Sequence, residues 1–351
     1  MEIRQILEEV ARCQNSDLHL VFGMPPIARK DGQLVPFSDS NGVVYTPLSD
    51  LELEQVAADL LSQEQRQKLK EKKDLDAAVS VGNARFRLNF AFDRGHLKVV
   101  ARVISESRPT LDDLGMPASI ADLLNSPQGL ILVTGPTGCG KSTTLAAMIN
   151  HINSQRNVHI LTLEDPIEYI FTSDKSLISQ RQLGEDMLSF AAGLKHALRK
   201  DPNVIMVGEM RDLETIAATV TLAETGHLVL ATLHTYSAAQ TIDRIIDVFP
   251  PHQQAQIRSQ LSTILSAVIS QRLLPRISGG RVAAREIMLR NSAIANLIRE
   301  NKIPQIKSVI ETNIQQGMTT MDRHLKQLYQ AGEIDRETAL NYMEESGFLD
   351  A

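Results

Sequence analysis

From Gly129 to Ile152 the chain passes through three textures in immediate succession. Gly129-Leu130-Ile131-Leu132-Val133-Thr134 is a continuous apolar run. Gly135-Pro136-Thr137-Gly138-Cys139-Gly140-Lys141-Ser142-Thr143 has three glycines in nine residues, and Thr144 to Ile152 reads as helix. A strand that feeds a helix through such a loop can wrap its backbone inward, because glycine tolerates the conformations this needs. Successive N–H groups then point at one spot, beside the positive end of the helix. The predicted ligand of Gly135, Pro136, Thr137, Gly138, Cys139, Gly140, Lys141, Ser142 and Thr143 is the phosphate chain of ATP. Lys141 is expected to reach the β and γ phosphates, and the Ser142 hydroxyl to ligate Mg²⁺. Cys139 fills a position where a small side chain suffices and reads as packing, not as a redox switch.

Around this motif the pattern is that of alternating strands and helices. Strands are predicted at 129–134, 158–163, 203–207, 227–232 and 280–288, with helices between. Alternation of this kind implies an α/β fold with a mostly parallel sheet covered on both faces. Ligands of such sheets sit outside the carboxyl ends of the strands. Three further strands end in polar residues there: Glu164-Asp165-Pro166-Ile167-Glu168, Gly208-Glu209-Met210-Arg211-Asp212, and Leu233-His234-Thr235. A carboxylate at that rim can ligate magnesium or orient an attacking water, and a histidine can sense the γ-phosphate. Gly208-Glu209 lacks the aspartate that often ends such a strand. Glu209 is therefore expected to serve the metal or the water, with Glu164 or Asp165 sharing the task.

Residues 1–104 have a different texture, that of a small α+β domain. A helix over 3–13 is predicted to precede a strand at Asp17-Leu18-His19-Leu20. A hairpin with the turn Lys30-Asp31-Gly32-Gln33, a charged helix over about 49–71, and two or three strands between 76 and 104 follow. From Arg85 to Phe92 the residues alternate strictly. Phe86, Leu88, Phe90 and Phe92 share one face, and Arg85, Arg87 and Asn89 the other. Residues 105–118 hold two prolines and no period, and read as a linker. After an ATPase core over 119–290, residues 291–351 read as short helices.

Composition narrows the partners. The net charge of −6, the absence of Trp and the 4% aromatic content argue against a basic, stacking groove for nucleic acid. Cys13 and Cys139 are the only cysteines, too few for a disulfide framework or a four-cysteine zinc site. No run approaches the roughly 20 apolar residues of a membrane span, and the polar start does not read as a signal peptide. A cytoplasmic protein that meets a membrane only through a partner is expected.

The order of Asp17-Leu18-His19-Leu20, Gly23-Met24-Pro25-Pro26, the phosphate loop, Leu163-Glu164-Asp165-Pro166-Ile167-Glu168-Tyr169, Gly208-Glu209-Met210-Arg211-Asp212 and Thr225-Gly226-His227-Leu228 through Thr232-Leu233-His234-Thr235 resembles the secretion-ATPase superfamily, over nearly the whole chain. Its retraction branch, which drives type IV pilus disassembly and twitching motility, is the nearest in pattern. The resemblance implies a PAS-like N-terminal domain, a flexible linker and a RecA-like P-loop ATPase domain. It implies a homohexamer on the cytoplasmic side of the inner membrane, engaging a membrane-embedded platform protein, acting indirectly on pilin subunits, and sharing the machine with a second pilus ATPase. Its Walker A, Asp box, Walker B and His box fall on the motifs above. His227 thereby joins the nucleotide-binding residues and His234 joins Glu209 and Glu164 as catalytic. In ring ATPases a neighbour completes the site. Arg85 and Arg87, two apart on one strand face, are the candidates for that role. Arg102 and Arg108, at or near the linker, are less suited. Assembly and type II enzymes of the superfamily typically carry extra N-terminal domains and often a four-cysteine motif, both lacking in this sequence. One departure stands out: Ala293-Ile294-Ala295-Asn296-Leu297-Ile298-Arg299-Glu300 has Ala295 where the retraction branch typically carries arginine. An accessory or regulatory paralogue is the alternative this raises, and a RecA-like nucleic-acid translocase is a more distant one.

Overall fold

Ser49 and Ser62 each begin a helix, and both do so by the same device. Each hydroxyl accepts from the backbone three residues on, while Glu52 and Gln65 reach back to the capping N–H groups. The charged segment predicted as one helix is therefore two, because Ser62 starts the second. A computed structural model of the protein describes all residues except 1, 14, 31–32, 39–41, 43–44, 83, 105–108, 346, 348 and 350–351. The chain divides into two units, Met1–Ser107 with Glu168–Ile170, and Arg108–Ile167 with Phe171–Ala351.

The first unit contains α1 (Ile3–Arg12), β1 (Asp17–Leu20), β2 (Ile27–Lys30), β3 (Gln33–Pro36), α2 (Asp50–Leu60), α3 (Gln63–Lys72), β4 (Asp74–Val81), β5 (Ala84–Asp93) and β6 (His96–Ile104). Its six strands form one antiparallel sheet in the order β3-β2-β1-β6-β5-β4. The predicted turn residues Asp31 and Gly32 lie outside the described residues, although β2 and β3 pair as a hairpin. Phe86, Leu88 and Phe90 of β5 are fully buried, as strict alternation requires. Phe92 shares their parity but not their burial. It is 38% exposed at the end of β5, with the Lys73 ammonium 4.9 Å from its ring centroid.

Opposite that core, Arg85 and Arg87 share the other face of β5. Arg87 is in register with Arg102 of β6, which pairs with Asp17 of β1. Asp17 is buried and accepts from Arg102 Nε at 2.7 Å, and Arg29 stands 3.7 Å away. Burial raises the Asp17 carboxyl, but hydrogen bonds from Arg102 and Ser16 and the Arg102 charge outweigh it and hold it below its ordinary range. Arg102 is thus a strand residue, and its nearness to the linker is no reason to set it aside. Arg108 lies outside the described residues.

The second unit contains α4 (Ala118–Leu124), β7 (Gly129–Thr134), α5 (Lys141–Gln155), β8 (His159–Glu164), β9 (Leu177–Gln182), α6 (Phe190–Ala197), β10 (Val204–Val207), α7 (Leu213–Glu224), β11 (Leu228–Leu233), α8 (Ala238–Asp247), α9 (Pro251–Ile264), β12 (Leu265–Pro275), β13 (Arg281–Leu289), α10 (Ser292–Arg299), α11 (Ile306–Thr312), α12 (Met321–Gln330) and α13 (Arg336–Tyr342). Seven strands form one sheet in the order β13-β12-β7-β11-β10-β8-β9. All pairings are parallel except β12 with β13. Every residue of β7, β10 and β11 is buried, as expected for parallel strands covered on both faces. Two strands, β9 and β12, fall where helix or loop is predicted. Of the stretch read as a linker, residues 105–108 are not described. Beyond them, Leu111 and Met116 are buried in the core of the second unit.

Candidate active site

The parallel register decides which polar groups meet. Thr134, the last residue of β7, pairs with Leu233 of β11 and with Ser270 of β12. Val207, the last of β10, pairs with Leu163 of β8 and Ala231 of β11. The phosphate loop, Glu164, Gly208-Glu209 and His234 therefore all leave the sheet at its carboxyl end.

Residues Gly135 to Gly140 form the loop and α5 starts at Lys141. Gly135 has φ 141°, and a side chain there would put Cβ 2.2 Å from the Gln271 carbonyl oxygen. Only glycine lets β7 turn so close to β12. Gly140, at φ 88°, is the left-handed cap of α5. The Lys141 ammonium folds back over the loop, donating to the carbonyls of Gly135 at 2.8 Å and Pro136 at 3.1 Å. Ser142 and Thr143 occupy the first turn of α5. Cys139 is buried and its thiol is pushed up by desolvation, which fits the packing reading.

Glu209 follows β10 by two residues and is the centre of a charged cluster. His234 Nε2 lies 2.9 Å and Arg211 Nε 2.7 Å from its Oε1. Burial raises the Glu209 carboxyl. The Arg211 hydrogen bond and the charges of Arg211, His234 and Lys141 outweigh this and hold it below the ordinary carboxylate range. The charge on Arg211 is in turn reinforced by Glu209 and then by Asp165. Asp165 is exposed, one residue past β8. Glu164 is buried, and its Oε1 accepts from Thr162 Oγ1 at 2.6 Å and Gln180 Nε2 at 3.0 Å. Gly208 passes close to it: a Cβ there would lie 3.4 Å from Glu164 Cα.

The structure does not bring His227 to this cluster. It immediately precedes β11, whose first residue pairs with Gly129, the first of β7. At about 3.3 Å per residue, the seven steps of the strand carry His227 about 23 Å from His234. Its Nδ1 lies 3.0 Å from the Leu222 carbonyl, at the end of α7. The two histidines stand at opposite ends of one strand, as the predicted strand over 227–232 implies; the nucleotide role of His227 came from the resemblance alone. Arg85 and Arg87 belong to the first unit, on the sheet face described above.

Two participants escaped sequence reasoning. Arg211 lies inside a motif quoted for its glutamate, and a basic residue two positions beyond that glutamate was the available signal. Gln271 of β12 is the other. Its Nε2 donates to the Cys139 carbonyl at 2.7 Å, and its Oε1 accepts from Thr144 Oγ1 at 2.9 Å. No local pattern marks a residue 132 positions from its partner. Among the described residues, no group of three His, Cys, Asp or Glu could hold a metal, and no helix is long and apolar enough to cross a membrane.

A buried parallel sheet with a glycine-turned loop and an ionised glutamate at its carboxyl end is equipped to hold a nucleoside triphosphate and to activate water. Comparison with known proteins agrees. The chain is 48% identical over 341 residues to the type IV pilus retraction ATPase PilT of Pseudomonas aeruginosa, covering 97% of each protein. It is 49% identical over 304 residues to a twitching motility protein of Neisseria gonorrhoeae, covering 86% of this chain and 81% of that one. A crystal structure of the pilus retraction motor PilT with bound ADP matches with a TM-score of 0.91 and 44% identity, covering 100% of this chain and 99% of the other. The model of the family described as type II/IV secretion system protein matches residues 2–333. The second unit thus has the RecA-like ATPase fold, and the chain belongs to the type II/IV secretion system protein family.

Proposed function

We propose that this protein is an ATP-hydrolysing motor that drives type IV pilus retraction, working as a homohexamer on the cytoplasmic side of the inner membrane. It would act through a membrane-embedded platform protein on pilin subunits, beside a second pilus ATPase and without nucleic acid. The observation that carries the reading is an intact phosphate loop facing the Glu209–His234 pair, in a chain that matches a retraction ATPase end to end. On this reading the N–H groups of the Gly138–Thr143 stretch bind phosphate, and Lys141 leaves the Gly135 and Pro136 carbonyls for the β and γ oxygens. Glu209, held ionised, positions or deprotonates the attacking water, and His234 links it to the γ-phosphate. Glu164, buried and already engaged by Thr162 and Gln180, is the second candidate for the water.

The residues present suit Mg²⁺. That ion takes one or two protein oxygens and completes its shell with phosphate and water, so an all-protein cage is not needed. Ser142 would hold it, with Glu209 and, through water, Glu164 or Asp165; bound there, it would neutralise charge on the β and γ phosphates. Arg85 and Arg87 would complete the site of a neighbouring subunit, and the first unit would be the PAS-like domain of the family. The test is deletion in the source organism. Loss of twitching with surplus surface pili is expected, and normal twitching would overturn the reading.

One observation favours a second reading, an accessory paralogue. Ala295 on α10 is buried, and by the resemblance this is the position where the retraction branch typically carries arginine. A purified chain that binds ATP but turns it over only beside another pilus ATPase would select this reading.

A further inference from the structure

The geometry points to Gln271 as a positioning residue of the phosphate loop: by clamping the Cys139 carbonyl to strand β12 it sets how tightly nucleotide binds. This rests on the nucleotide-binding reading above.

Gln271 is 2% exposed, and each end of its amide is matched. Nε2 donates to the Cys139 carbonyl at 2.7 Å, and Oε1 accepts from Thr144 Oγ1 at 2.9 Å. The reverse orientation would set Oε1 against the carbonyl, two acceptors face to face, so only one orientation satisfies both bonds. Thr144 is itself buried on the first turn of α5, and its backbone N–H donates to the Gly140 carbonyl. The amide therefore spans the junction between loop and helix. The backbone of Gln271 reinforces the same junction, because its carbonyl is the surface on which Gly135 packs.

The consequence follows from peptide geometry. The Cys139 carbonyl and the Gly140 N–H belong to one planar trans unit and point in opposite directions. Fixing the oxygen on Gln271 aims that N–H away from β12, which is how a loop donor to phosphate has to be held. Gly140 is at φ 88°, a conformation open to glycine in several variants, so the peptide plane beside it needs an external anchor. Gln271 supplies the anchor from a rigid strand paired with β7 on one side and β13 on the other.

Loss of the anchor removes binding energy common to ground state and transition state, so KM moves and kcat does not. In the purified full-length chain, Gln271→Leu is expected to weaken fluorescent ADP binding about tenfold, the scale of one net hydrogen bond to a buried group. KM for MgATP should rise by a similar factor, with kcat within about threefold. Thr144→Val, which leaves the amide without its second partner, should weaken ADP binding by about threefold. The double variant should be no worse than Gln271→Leu alone, since both act through one contact. A Gln271→Leu protein with a lower melting temperature but unchanged ADP affinity would make the residue mere packing and overturn the assignment. If that variant does not fold, unchanged ADP affinity in Thr144→Val overturns it instead. Lys141→Ala separates the two levels. Wild-type protein that binds ADP no better than Lys141→Ala would remove the nucleotide reading itself, whereas wild-type binding with an unaffected Gln271→Leu removes only this inference.

Discussion

Glu209 and Glu164 both stand at the carboxyl end of the sheet, in different surroundings. Glu209 keeps part of its surface open, touches His234, and feels the charge of Lys141. Glu164 is buried with an oxygen already shared by Thr162 and Gln180. Glu209→Gln is therefore expected to bind ATP with near-normal affinity and to lose about 10²–10⁴ in turnover, the usual contribution of a water-activating group. Lys141→Ala should instead weaken binding, as the contacts proposed for it are to ground-state phosphates. Nucleotide affinity and steady-state hydrolysis on the same preparations distinguish the two. If Glu209→Gln turns over normally while Glu164→Gln does not, the roles are exchanged. The cysteines allow a second check at this scale. Cys139 is buried with its thiol pushed up by desolvation, and Cys13 is partly exposed. Since thiolate and access both control reactivity, Cys13 should alkylate first and Cys139 only on unfolding. Rapid labelling of Cys139 in folded protein would contradict the packing around Gly135.

The elements differ in how far the chain announces them. β7, β8, β10 and β11 are short apolar runs ending in polar residues, and their ends named most of the site. β12 was not legible, because an apolar run does not by itself distinguish a strand from a buried helix, and Ser270-Gln271-Arg272 interrupts it. β9 was not legible either, since Leu177–Gln182 is mostly polar. With β12 unseen, the clamp on Cys139 was unseen as well. The same blindness covers the far side of β13, where α12 supports the sheet edge. There the Arg285 backbone N–H donates to His324 Nδ1 at 2.8 Å. Desolvation and then the Arg285 charge push the His324 pKa down to about 4. A histidine depressed in the fold stabilises fully above its unfolded pKa, near 6.5, and loses that contribution as pH falls from there toward 4. At pH 5 the loss is about 2 kcal/mol, at 1.36 kcal/mol per pH unit. Denaturant unfolding at pH 7.5 and pH 5 should show a difference of that order. His324→Asn, which keeps an acceptor but cannot titrate, should flatten it. An unchanged slope would mean that other groups carry the acid sensitivity.

At the scale of the whole molecule, the phosphate loop belongs to one unit and Arg85 and Arg87 to the other, and the proposal that a neighbouring chain supplies the arginines is open to a mixing experiment. On the proposed reading this face receives an anion, the phosphate of a neighbouring subunit's nucleotide. Arg85 and Arg87 leave β5 on the side opposite Phe86, Leu88 and Phe90, which fix the strand in its own core. Arg87 is 3.7 Å from the partly exposed Asp76 carboxylate, a pair weak enough to exchange for phosphate. Arg85 Nε is buried with no hydrogen-bond partner among the described residues. Guanidinium groups in this setting suit bidentate contact with phosphate better than lysine would. We therefore expect the Arg85→Ala, Arg87→Ala double variant to assemble and bind nucleotide but to hydrolyse poorly, and Lys141→Ala to be inactive for want of its own loop. Mixed in one ring, the two defects should complement, since an interface between an intact loop and an intact arginine pair then exists. ATPase activity measured against mixing ratio should peak at intermediate composition and be lowest at both ends. Full activity of the double arginine variant alone would remove both residues from the mechanism. Activity that never rises in verified mixed rings would place the arginines' action within their own chain, provided that a ring with one intact interface can turn over, which titrating wild-type subunits into Lys141→Ala rings establishes independently.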